Sequence, residues 1–146
     1  MLSFSNFGST KHPLAEKVQR AVQLVKNTDP ELMINGEMMA DTAIAQEIIE
    51  ETYPFSKLKG GANVLVFPDL TSANTCYKLS RRIGGAETIG PILMGMSRAV
   101  HVRQWDTEVE EIVNMAAIAV VDAHETEMQR QAAEDARKGR ADLIGV

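Results

Sequence analysis

The sequence predicts an α/β fold, a mostly parallel sheet with helices on both faces. Short apolar runs alternate with segments of helical periodicity along the whole chain, the order that parallel βαβ units require. The runs stop short of helical length: Asn63 to Phe67 ends at Pro68, as a buried strand would. Gly60 to Arg98 then reads in order as strand, acidic and hydroxyl-rich turn, basic amphipathic helix, glycine turn and strand.

Each element follows from local chemistry. Leu2 to Phe4 is a short predicted strand, and Ser5 to Thr10 a turn whose small and hydroxyl residues suit a phosphate-facing loop or a plain connection. Pro13 suits the first position of a helix, and Leu14, Val18, Ala21, Val22 and Val25 recur at helical spacing until Asp29 and Pro30. Leu32 to Ile34 is a second predicted strand. After the turn at Asn35, Gly36 and Glu37, Asp41 can cap a helix holding Ala43, Ile44, Ile48 and Ile49, which Tyr53 and Pro54 stop. Asp69 to Asn74 follows the third strand at its carboxyl end, where open α/β sheets bind ligands and a helix start offers N–H groups to an anion.

The helix from Ala73 to Ile83 places Cys76, Leu79 and Ile83 on one face, with Lys78, Arg81 and Arg82 on others, and ends at Gly84 and Gly85. Thr88 to Met94 is a further apolar strand interrupted by Gly90 and Pro91, and Val100 to Arg103 a last short one. Thr107 with Glu110 has capping-box spacing ahead of Ile112, Val113, Ala116, Ala117 and Val120. Residues 125–146 mix both charge signs with alanines, as in a helical tail with a solvated face.

Composition narrows the function. With 146 residues, 45% hydrophobic and 24% charged, the chain has the make-up of a single globular domain. A net charge of −5 argues against nucleic acid as a partner, which normally meets a basic face. Cys76 is the single cysteine, no run reaches the length of a membrane helix, and no leader is evident, so a cytoplasmic protein without a membrane partner is expected. The apolar opening, MLSFSNFGS, reads as if continued from a longer polypeptide.

Few residues pattern as chemistry. His12, His101 and His124 lie at ligand spacing from neither one another nor Cys76, so no metal site is expected. Glu50 with Glu51 and Glu110 with Glu111 read as solvated helix faces, and Cys76 as a small buried hydrophobe. Lys78, Arg81 and Arg82 form a basic cluster beside the Asp69 turn, fit for an anion or for solvent.

FPDLTSANTCYKLSRRIGGAETIGPILMGMSR resembles the second half of the phosphate acetyl/butyryl transferase family, and the pattern extends from SFSNFGS to EEIVNMAAIAVVDA. PFSKLKGGANVLVFP and EIVNMAAIAVVDA look most like the copy of that domain fused to the C-terminus of large bacterial malic enzymes. The resemblance implies a three-layer, isocitrate/isopropylmalate dehydrogenase-like fold. Residues 1–146 would be the C-terminal half of a larger two-subdomain module, and 125–146 its charged tail.

It implies coenzyme A or acetyl-coenzyme A as ligand, in a cleft lined by the basic helix and the strand after it. Lys78 and Arg81 would meet its phosphates and Asn74 would orient it, with Ser5, Ser9, Asp69 and Gly90 completing the ligand-binding set. NAD(P) and a divalent metal would belong to upstream domains of the parent enzyme, and a homodimer or higher homo-oligomer is expected.

Active members of the family carry a serine followed by an arginine where this chain has Gln104 and Trp105, and an aspartate base where it has Glu111. Exchanging arginine for tryptophan removes a permanent cation, and losing one such stabiliser costs ~10²–10³ in rate. Trp105 could instead stack on an adenine, or pack against Met96 or the following helix. Three functions remain open: a malic-enzyme fragment with regulatory acetyl-coenzyme A binding and lost transferase chemistry, an active acetyltransferase, and a structural assembly module.

Overall fold

The computed structural model describes residues 1–103, 105 and 107–144. They form two compact units, Met1–Gly85 and Ala86–Val146. The elements are helical: α1 (Pro13–Thr28), α2 (Ala40–Ile44), α3 (Gln46–Thr52) and α4 (Leu70–Arg82) in the first unit, and α5 (Val109–Ile144) in the second.

The expected parallel sheet with helices on both faces is therefore corrected: among the described residues no strand forms, and one isolated parallel bridge joins Leu2 to Met38. Three extended segments do touch in the first unit. The Leu2 amide donates to the Val66 carbonyl at 2.8 Å, Ser3 to Met38 at 2.9 Å, and Met38 to Met1 at 3.2 Å. A sheet requires neighbours to exchange bonds at successive positions along the pair. Here the ladder cannot lengthen, because residues 5–10 turn away after a few positions. Val64 and Val66, assigned by pattern to a buried strand, are 70% and 42% exposed. In the second unit Ile92, Leu93, Met94, Val100 and Val102 are likewise exposed.

The predicted start of α1 is realised, and its periodicity in part: Val18 and Val22 are buried, whereas Leu14 is exposed and Ala15 takes its place on the buried face. Pro13 opens it, the His12 side chain accepts from the Leu14 amide, and Ala15, Val18 and Val22, at i, i+3 and i+7, are buried. The predicted helix after Asp41 is divided: Ala45 adopts φ −93° and ψ 105°, which separates α2 from α3. Asp41 lies inside α2, and its carboxylate accepts from the adjacent Thr42 amide at 2.8 Å. Leu2, Met38 and Ala43 form the centre of the core, with Phe7, Leu58, Ala62 and Phe67 packed around it.

A polar clasp crosses this core. The buried Glu37 carboxylate accepts from the Ser5 hydroxyl at 2.8 Å and the Gly8 amide at 2.7 Å, while its carbonyl accepts from the Phe7 amide at 2.8 Å. Asn6 adds a second tie, its side-chain oxygen accepting from the Met39 amide at 2.7 Å. Phe7 and Gly8 both have positive φ, 47° and 85°, so the loop turns sharply enough for these donors to reach one carboxylate.

In the second unit α5 runs without interruption for 36 residues, as far as Ile144 within the segment read as a charged tail. The extended segment at 101–103 lies on it. Arg103 donates to the Glu111 carboxylate at 2.5 Å and to the Gly90 carbonyl, and His101 Nε2 stands 3.8 Å from an Asp122 oxygen. Glu111, Met115 and Asp122 recur at about one face of the helix, and Met115 is buried there. No described helix is long and apolar enough to cross a membrane.

Candidate functional site at the start of α4

The start of α4 is built by its first residues. The Asp69 carboxylate accepts from the Ser72 amide at 2.8 Å, and the Ser72 hydroxyl returns a bond to the Asp69 carbonyl at 3.0 Å. The Ser72 amide bond holds the Asp69 carboxyl below the usual carboxylate value, aided by the Ser72 hydroxyl, the Thr71 amide and the charge of Lys17. Lys17 Nζ, reaching across from α1, donates to the Pro68 carbonyl at 2.8 Å and so fixes the turn.

A cavity of about 400 Å³ opens at this turn. Leu2, Phe4, Leu14 and Phe67 make its apolar wall, and Lys17, Asp69 and Ser72 bring polar groups to it. An apolar cleft with a few converging polar groups is the usual form of a small-molecule site. Beyond the turn, Asn74, Lys78 and Arg81 follow at i, i+4 and i+7, one stripe along α4. Lys78 is exposed, its ammonium 5.4 Å from the Tyr77 ring centroid, and Arg81 is half-buried.

The other residues read as ligand-binding are distributed differently. Ser5 is fully buried, its hydroxyl committed to Glu37, to Ser9 at 3.2 Å and to the Thr10 amide at 3.1 Å. Ser9 is exposed, and its hydroxyl accepts from the Asn6 amide. Gly90 belongs to the second unit, where Arg103 links its carbonyl to Glu111. Gln104 lies outside the described residues, and Trp105 is 98% exposed, so the packing considered for its indole does not occur. Cys76, expected on a buried face, is exposed, because no residue of α4 is buried.

Sequence reasoning missed Lys17, Ser72, Glu37 and Arg103. Ser72 alone left a signal, three residues after the capping aspartate. No group of three or more histidine, cysteine, aspartate or glutamate side chains placed to hold a metal ion occurs among the described residues.

A capped basic helix beside an apolar cleft is the arrangement common in α/β ligand-binding domains. Comparison supplies the family: the family model for phosphate acetyl/butaryl transferase matches residues 1–120, and the chain belongs to that family. It is 46% identical over 125 residues to the NADP-dependent malic enzyme of Escherichia coli, covering 84% of this chain and 16% of that protein. It is 45% identical over 123 residues to the phosphate acetyltransferase of Acetivibrio thermocellus, covering 84% and 37%. A solved phosphotransacetylase from Streptococcus pyogenes superposes with a TM-score of 0.80 at 38% identity, over 86% of this chain and 38% of that one. The chain thus spans well under half the length of each of these relatives.

Proposed function

We propose that this chain is part of a malic enzyme whose phosphotransacetylase-like domain binds acetyl-coenzyme A as a regulatory ligand, with transferase chemistry lost. The observation that carries the reading is Trp105. An indole 98% exposed stands where, by resemblance, active members hold an arginine, and it offers no permanent cation to a transition state. The position of the family base is also altered, since Glu111 is held by Arg103 at 2.5 Å. Ligand binding needs neither of these groups. It draws on the α4 cleft, where Asp69 and Ser72 shape the entrance and Lys78 and Arg81 supply positive charge along the helix.

A role in subunit association belongs to the same reading. Val109, Val113, Val120 and Val121 of α5 are all more than half exposed, an apolar surface suited to a second copy. Malate oxidation, with NAD(P) and a divalent metal, belongs to other domains of the parent protein.

Calorimetric titration with acetyl-coenzyme A, run alongside a thiol-release assay with acetyl phosphate, tests the reading. Saturable binding without turnover supports it. Turnover supports the second reading, an active phosphate acetyltransferase, which the 45% identity to a protein of that name favours. Absence of both leaves a structural assembly module.

A further inference from the structure

A second cleft, of about 560 Å³, lies in the first unit and shares no lining residue with the cavity at α4. One wall is a stripe of α1, Gln19, Gln23 and Lys26 at i, i+4 and i+7. Phe55 and Lys57, from the segment after α3, line it from elsewhere in the chain. The clasp residues Gly8 and Glu37 also line it.

Three features suit one kind of ligand. Phe55 is 67% exposed yet held in place, its ring 5.0 Å from Phe7 and 6.0 Å from Tyr53, both edge-on. A fixed aromatic ring with a free surface can stack on a heterocycle, an interaction of about 1–3 kcal/mol per base. Gln19 and Gln23 each offer an amide donor and acceptor, as hydrogen bonding to the edge of a base requires. Lys26 and Lys57 provide two ammonium groups for phosphate, against the single carboxylate of Glu37. That carboxylate is turned into the clasp, where Ser5 and Gly8 donate to it.

The geometry points to a nucleoside phosphate site in this cleft, with the base on Phe55 and the phosphates between Lys26 and Lys57. The volume falls in the range of small-molecule pockets. The site stands independently of acetyl-coenzyme A binding at α4.

Its test is an NMR titration of the whole chain with ADP, with parallel titrations of adenosine and inorganic phosphate. Saturable shifts are expected at Gln19, Gln23, Phe55 and Lys57. Phe55→Ala and Lys57→Glu should each weaken binding by about tenfold, the cost of one stacking or charge-assisted contact. Lys57 is exposed and packs on nothing in the core, so Lys57→Glu tests the site without the loss of contact to Phe7 and Tyr53 that Phe55→Ala brings, and Lys138→Ala should leave affinity unchanged. ADP shifts confined to α4, shifts insensitive to Lys57→Glu, or phosphate binding as tightly as ADP would each overturn the assignment. Since acetyl-coenzyme A binding is read at α4 by separate calorimetry with Lys78→Ala, failure here leaves that reading standing.

Discussion

Replacing Glu37 with alanine should destabilise the first unit measurably. The side chain is 1% exposed, and its carboxylate accepts from the Ser5 hydroxyl at 2.8 Å and the Gly8 amide at 2.7 Å. Truncation removes the acceptor of the buried Ser5 hydroxyl and of the amide of Gly8, an exposed residue whose N–H can turn to water. An unsatisfied buried donor costs about 1–3 kcal/mol. The Thr10 amide donates to the Ser5 oxygen and so cannot take its proton, which leaves Ser9 as the one alternative acceptor, 3.2 Å away; the penalty therefore falls on the Ser5 hydroxyl rather than on the exposed Gly8 amide. The expected loss is about 1–3 kcal/mol, set against the ~5–15 kcal/mol that stabilises a whole domain. Glu37→Gln keeps a carbonyl acceptor and should lose only about 1 kcal/mol. Urea unfolding followed by circular dichroism measures both variants. A Glu37→Ala protein within about 0.5 kcal/mol of wild type would refute the clasp, because such losses belong to ordinary surface substitutions.

Three further outcomes follow from other contacts. The Asp69 carboxyl, held low by the Ser72 amide, should stabilise α4 fully above the ordinary aspartate pKa, and this contribution should vanish as pH falls through its depressed folded value; NMR titration of the carboxyl reads the direction, and Asp69→Asn should flatten the response. Arg103→Met should cost the second unit about 2 kcal/mol by leaving the Gly90 carbonyl and the half-buried Glu111 without the guanidinium, as thermal unfolding would show. Cys76, exposed on α4, should react stoichiometrically with a thiol reagent in the native protein, and protection until denaturant is added would contradict its placement.

Legibility in the sequence tracked how local each cause was. The start of α1 needed only Pro13 and an apolar spacing within one helix, and those signals are adjacent, while the cap from His12 emerged only in the structure. The start of α4 was marked by Asp69, although its bond to Ser72 begins the helix three residues before the pattern at Ala73 suggested. The sheet failed because an apolar run specifies extended backbone and not a neighbour. Asn63 to Phe67 has the composition of a buried strand, yet within this segment only the Val66 carbonyl pairs with Leu2, and Val64 lies exposed. Cys76 failed similarly, since helical periodicity identifies a face and cannot supply what covers it. Glu37 was invisible because its donors lie 29 and 32 positions away.

The long-range polar contacts also change what the site residues can do. Ser5 and Ser9 have the composition of a phosphate loop, but a hydroxyl already bonded to Glu37 and two loop neighbours is part of the scaffold. Its contribution to any ligand would be indirect, through the positions of Phe7 and Gly8. Arg103 shows the same distinction in the second unit. It is a cation two residues before Trp105, yet its guanidinium bonds to the Gly90 carbonyl and the Glu111 carboxylate, and the ion pair leaves it about 19% exposed. A cation neutralised by a carboxylate at 2.5 Å exerts little net field on a developing anion. Arg103 therefore does not replace the arginine whose position, by resemblance, Trp105 occupies. It anchors the Gly90 turn to α5.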